Sequence, residues 1–205
     1  MSQPSRSVVM FCKAAGIEYE DKVVNLPKRE HKEGPYLAIN KHGQVPSIVD
    51  GDLKLSEGAA ILQYIAESRG SVSYYPADAK KKAEINAWLH WHHTHTRFST
   101  MAIVRPAFGM VPPNPVGEDA FISSAKFLND HFADSKFLSG DNLSIADFLI
   151  IPELDQLDAT KFFDFSPYPN IQRYLKDFED GVGNIYTENR AVMLTIVNSI
   201  LSAKK

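Results

Sequence analysis

Strand-type patterning stops near residue 78 of this chain, and that boundary limits the available folds more than any single motif. "PADAKKKAEIN" opens a half whose apolar residues recur at helical spacing, over 78–107, 117–133, 144–158, 169–179 and 186–202. Breaks rich in Gly, Pro and Asp separate these segments; in "GMVPPNPVGED", Pro112, Pro113 and Pro115 cannot all lie inside a helix. Ahead of the boundary the periods alternate. Pro4 suits a first helical position, Val8, Phe11, Cys12 and Ala15 repeat at helical spacing, and Gly16 ends the run. "DKVVNL" reads as a short strand ending at Pro27, and "KREHKEGPYLAINKHG" as an irregular segment with one helical turn. In "QVPSIVDGDLKL", two β-rich triplets flank "DGD", which predicts an antiparallel hairpin. "SEGAAILQYIAESRG" then predicts a helix with Ile61, Tyr64, Ile65 and Ser68 on one side, closing at Gly70. These signals divide the chain into an α/β part at 1–70, a linker at 71–78 within "GSVSYYPADA", and an all-helical part at 79–205.

With 205 residues and 44% hydrophobic content, the chain can bury a substantial core. Its 22 basic and 25 acidic residues give a formal net charge of -3, which supplies no pull toward nucleic acid. The lone Cys12 lies among apolar neighbours in "VVMFCKAA", which predicts a buried thiol and a reducing compartment. No apolar run reaches the roughly 18 residues of a membrane span, and no signal-peptide pattern is present, so the expectation is a soluble cytoplasmic protein. In "LSIADFLII", Ser144 and Asp147 have the spacing of a capping box, with Leu143 and Phe148 placed as its hydrophobic staple.

Five segments narrow the reading further. "SQPSRSV" before the first helix, "GQVPSIVDGD" at the hairpin, "SEGAAIL" at the next helix, "WLHWHHTHTR" and "LSIADFLIIPEL" occur in this order. Together they resemble the cytosolic glutathione transferases, most closely the theta class and its bacterial dehalogenating relatives. The resemblance runs through nearly the whole chain. It implies a thioredoxin-like α/β N-terminal domain that binds glutathione as co-substrate, followed by an all-α domain for the electrophile. Ser2 matches the family's catalytic hydroxyl, with Ser5 as the alternative. A thiol with a pKa of about 8.5 is mostly protonated at neutral pH, and a hydroxyl donor beside a helix N-terminus favours the thiolate. Pro46 after Val45 matches the family's cis proline, which implies that the Val45 amide and carbonyl pair with the cysteinyl part of glutathione. Glu57 matches the acidic residue that holds the γ-glutamyl amine. Gly58 stands where the family usually carries Ser, which leaves only an amide for the γ-glutamyl carboxylate and implies weaker binding. Gln44 and His31 match residues around the glycyl end.

The "HWHHTHTR" stretch pairs His92 with His95 and His90 with His93 on rotated faces, but no zincin-type Glu and no nearby Cys accompany them, so no metal is expected. The resemblance instead makes this helix a wall of the cleft, with Trp91, His92, Arg97 and Met101 as electrophile-side residues. Arg97 is the candidate for an anionic substrate group or a subunit contact. Small hydrophobic electrophiles such as alkyl halides, epoxides, peroxides or activated conjugates are the implied substrates, and a homodimer is the implied assembly. Serines stand where thiol oxidoreduction would need a Cys-x-x-Cys.

Two departures from the family carry their own expectations. Relatives place a β-strand ahead of the matching serine, whereas Met1 alone precedes Ser2, so the first strand of the sheet is expected to be missing or truncated, with a loosened Ser2 and lowered turnover. The chain also ends at "NSILSAKK", without the tail that closes over the site in mammalian theta enzymes, which implies a more open pocket. The competing function is a non-catalytic transferase-like module for protein interaction or ligand binding.

Overall fold

The computed structural model describes residues 2–202; Met1 and the last three residues of the 79–205 range lie outside the described residues. Helix α1 (Gln3–Ala14) begins where Pro4 predicts, with Ser2 as its cap. A 3-10 turn at Glu30–Lys32 and the short helix α2 (Gly34–Leu37) fill the segment expected to be irregular. Strands β1 (Ser47–Asp50) and β2 (Leu53–Ser56) form the predicted hairpin, in the register Ser47 opposite Ser56 and Asp50 opposite Leu53. Gly51 takes φ +60° at the turn, a conformation that glycine adopts without steric cost.

Helix α3 (Gly58–Ser68) follows, and it buries Ile61, Leu62, Ile65 and Ala66. The expected apolar face is thus rotated: Tyr64 is half-buried and Ser68 exposed. Tyr64 serves the hairpin instead. Its hydroxyl donates to Asp50 Oδ2 at 2.8 Å, and Arg69 Nη2 donates to the same oxygen at 2.5 Å, so the turn is pinned to the end of α3.

The expected strand at "DKVVNL" does not form. The segment is irregular and Val23 is 86% exposed, because a strand needs a backbone edge to pair with and the sheet among the described residues has two strands, β1 and β2.

The helical half contains α4 (Ala79–Thr94), a π-helical segment at Ser99–Val104, α5 (Arg105–Ala107), α6 (Pro115–Asp134), α7 (Ile145–Thr160), α8 (Pro169–Val182) and α9 (Asn184–Ser202). The single helix expected over 78–107 is interrupted at His95. Its ring Nδ1 bonds to the Trp91 carbonyl at 2.9 Å, the acceptor its own amide would use in an unbroken helix, and that amide turns to His92 instead.

Helix α7 is the centre of the molecule, with every residue from Ile145 to Leu157 buried. Helices α1, α3, α4, α8 and α9 all pack on it. Phe148 meets Phe11, Tyr74 and Phe178 edge to face, with ring centroids 5.2–5.5 Å apart. At its start, the Asp147 carboxylate accepts from the Ser144 amide (2.8 Å), the Ser144 hydroxyl (2.8 Å), the Leu138 amide (3.0 Å) and the Tyr174 hydroxyl (3.0 Å). The capping box read from the sequence is therefore wired into α8 and the preceding loop as well. Among the described residues, no helix is long and apolar enough to cross a membrane.

Candidate active site

Ser2 Oγ accepts the Ser5 amide at 3.3 Å, as a helix cap, and donates to the Val45 carbonyl at 3.3 Å. The Val45–Pro46 peptide bond is cis, as the resemblance implies. The loop that carries it is shaped from α2 and the turn after it: Tyr36 Oη (2.6 Å) and Asn40 Nδ2 (2.8 Å) both donate to the Gln44 carbonyl. The Val45 amide has no protein acceptor among the described residues, so a backbone donor stands free beside the serine hydroxyl.

Glu57 caps α3 with φ +72° and ψ 113°, in the left-handed region that a residue with a Cβ seldom adopts; such a conformation costs on the order of 1–3 kcal/mol. The surrounding structure holds it there: the Glu57 carbonyl accepts the Ile61 amide at 2.9 Å, and the side chain stays exposed at the helix mouth. Gly58 next to it is buried. A Cβ at this position would lie 2.9 Å from Pro4 Cβ, so the start of α1 occupies the space a serine would need. The glycine and the close approach of two helix N-termini are one feature. The N-terminal ends of both helix dipoles bring positive potential to the corner where Ser2 meets Val45 and Gly58 meets Pro4.

His31 and Gln44 lie on either side of Gly43, where an added Cβ would come within 2.6 Å of the His31 carbonyl. His31 Nδ1 is buried and has no hydrogen-bond partner among the described residues. On the helical side the expected residues separate. Trp91 stacks on His95 (4.4 Å, 9°) and packs against Trp88 of its own helix and Phe127 of α6. Met101 is exposed and takes a contact from Arg105 Nη1 at 3.6 Å. His92 corrects the expectation of an electrophile contact: it is 2% exposed, its Nδ1 meets Thr96 Oγ1 at 2.8 Å, and burial pushes its pKa down to about 4. His92 and His95, three residues apart, therefore serve different surroundings. Among the described residues, no group of three or more His, Cys, Asp or Glu could hold a metal ion.

Residues 2–67 match the family model for the glutathione S-transferase N-terminal domain, and residues 84–177 the model for its C-terminal domain. The chain is 33% identical to glutathione S-transferase T1 of Arabidopsis thaliana over 96% of this chain and 87% of that protein. The chain belongs to the glutathione S-transferase family. It is 36% identical to glutathione S-transferase T3 of the same plant over 86% of this chain, and there it spans 33% of the relative's length. The solved structure of human glutathione transferase theta-2, in complex with glutathione and an unknown ligand, superimposes with a TM-score of 0.88 at 29% identity, covering 98% of this chain and 88% of that one. The α/β half followed by an all-helical half is the glutathione S-transferase architecture.

Within this glutathione S-transferase, Arg97 is bound by the protein itself: its Nη1 donates to Glu153 Oε1 at 2.6 Å. Buried Glu153 also accepts from Ser99 Oγ (2.5 Å), Thr100 Oγ1 (2.6 Å) and Gln156 Nε2 (2.9 Å). Two residues further along, Asp155 pairs with Arg6 and accepts the Tyr186 hydroxyl at 2.8 Å, while Arg190 bridges to Asp155 and Asp158 at 3.4 and 2.6 Å. None of these α7 residues stood out as a site in the sequence. The available signal was the polar set in "LIIPELDQL", since a helix apolar on every side is buried and its polar residues then require partners. Cys12 is buried, and burial pushes its thiol up to about 11.

Proposed function

We propose that this chain joins the thiolate of glutathione to small electrophiles through Ser2. The observation that carries this reading is the meeting of the Ser2 hydroxyl, the Val45 backbone and the starts of α1 and α3 within one corner of the molecule. A hydroxyl hydrogen turned from the Val45 carbonyl to a thiolate sulfur stabilises the charged form, and each unit by which a thiol pKa falls corresponds to about 1.4 kcal/mol. The sulfur lone pair then forms a bond to the electrophilic carbon. In a substitution the bond to the leaving group breaks with its electron pair; in an addition the π electrons move to the acceptor end and are later protonated.

In this reading the Val45 amide and carbonyl pair with the cysteinyl unit, Glu57 takes the γ-glutamyl amine, the Gly58 amide takes its carboxylate, and His31 and Gln44 flank the glycyl end. The strained backbone of Glu57 supports its part, because such strain persists where the surroundings hold a side chain in a required direction. Residues 1–70 form the glutathione side and 79–205 the electrophile side, joined at 71–78. Trp91, Arg97 and Met101 lie toward the electrophile, with Arg97 already oriented by Glu153. A homodimer working in the cytoplasm completes the proposal; the half-exposed Phe127 beside Trp88 and Trp91 offers an apolar face for a second copy.

The test is glutathione binding by calorimetry on this chain and on Glu57→Ala. Saturable binding that weakens about tenfold or more in the variant is expected, since a hydrogen bond to a charged group is worth roughly 1.5–3 kcal/mol. Equal affinity in the two proteins removes the Glu57 assignment, and no binding by the native chain favours the non-catalytic module.

A further inference from the structure

Two buried amides join the start of α1 to the centre of the helical half, and charge dictates which way each one points. Arg6 can only donate, and its Nη1 gives a hydrogen bond to Gln3 Oε1 at 3.0 Å. Gln3 therefore presents Nε2 to Gln156 Oε1, at 2.5 Å. Gln156 in turn presents Nε2 to Thr100 Oγ1 (2.6 Å), Glu153 Oε2 (2.9 Å) and Ser99 Oγ (3.1 Å). The donors all run one way, from Arg6 through Gln3 and Gln156 to Glu153, where they meet the donor from Arg97. Gln3, Gln156 and Glu153 are all buried, so a lost partner would not be replaced by bulk water.

Gln3 is the residue after Ser2. We propose that Gln156 is a positioning residue for the transferase reaction: its bond to Gln3 fixes the first turn of α1 on α7, sets the direction of the Ser2 hydroxyl, and ties that hydroxyl to the Arg97 side of the site. The inference rests on the reading of Ser2 given above. Ser2 Oγ makes two long contacts, each of 3.3 Å, to the Ser5 amide and the Val45 carbonyl. Contacts of that length do not fix a hydroxyl alone, and a small rotation of the first turn changes what it can reach. The anchoring falls to the neighbouring amide, which is buried and paired at both ends.

The test uses Gln156→Met, Gln3→Met and the double variant, each in the full chain, with folding checked by circular dichroism and turnover followed across pH. Gln156→Met is expected to lower kcat/KM for conjugation on the order of tenfold through lost alignment. It should also move the acid limb of the kcat/KM profile to higher pH, because a thiolate with a poorly placed donor is harder to form. A purely structural role would lower Tm and leave that limb in place. The double variant should shift the profile no further than Gln156→Met, since the link is already cut. If Gln156→Met does not fold, Gln3→Met cuts the same link from the end of α1 and carries the test. A folded variant of either residue with the native pH profile, or shifts that add in the double variant, would overturn the positioning role. A native chain that performs no conjugation overturns the functional reading together with it, whereas an active native chain with unmoved variant profiles overturns the positioning role alone.

Discussion

Helix α7 and the β1–β2 hairpin sit at opposite ends of the burial scale. Every residue of α7 from Ile145 to Leu157 is buried, while neither strand contains a fully buried residue. Two-stranded hairpins are marginal by themselves, and this one depends on α3, to which Tyr64 and Arg69 fasten its turn. The candidate ligand groups nevertheless gather at the thin side, on a helix cap, a loop carbonyl and the mouth of α3. The difference teaches where geometry is held: ligand-facing groups lie at element ends, and the buried helix behind them supplies the rigidity.

The contrast can be broken most severely at the head of α7. Asp147→Ala would leave the Leu138 and Ser144 amides and the Tyr174 hydroxyl without their buried acceptor, and unfolding in urea should show a loss of about 4 kcal/mol or more. A loss below about 1 kcal/mol would mean that the helical core is not the rigid partner described here. Acid should act next. The folded pKa of His92 is depressed to about 4 against 6.5 for the free side chain, so its contribution is fully present above about pH 6.5 and is lost as pH falls through about 4. For one buried histidine this is on the order of 3 kcal/mol, and His92→Leu should flatten the stability curve over that window. An unchanged slope would place the acid sensitivity elsewhere. At the small end, Val23→Ser in the irregular segment, where the side chain is 86% exposed, should change stability by less than about 0.5 kcal/mol.

What could be read from the sequence follows the same division. Local signals located the elements well where neighbours within four residues decide the outcome: the Ser144 and Asp147 cap, the Asp-Gly turn of the hairpin, and the prolines at the start of α6. They failed where a distant partner decides. "DKVVNL" has strand composition and no strand beside it, and the helix over 78–107 breaks because the His95 side chain takes the carbonyl its own amide would use. Within the site, the resemblance located Ser2, Val45 and Pro46 in one corner. It gave no account of Gly58, whose reason is the approach of Pro4 from another helix, and it set His92 toward a substrate although burial turns it into the core. The chain of amides behind Ser2 was invisible for the same reason, since Gln3 and Gln156 are 153 residues apart in sequence.

The central claim is that a serine at the cap of α1 activates glutathione, and Ser2→Ala tests it most directly. Conjugation by the native chain and the variant should be followed across pH, with glutathione affinity measured alongside. The account predicts a fall in kcat on the order of a hundredfold, an acid limb moved to higher pH, and affinity within a few-fold of native, because the hydroxyl matters most once charge develops on sulfur. Native turnover and a native pH profile in the variant would contradict it.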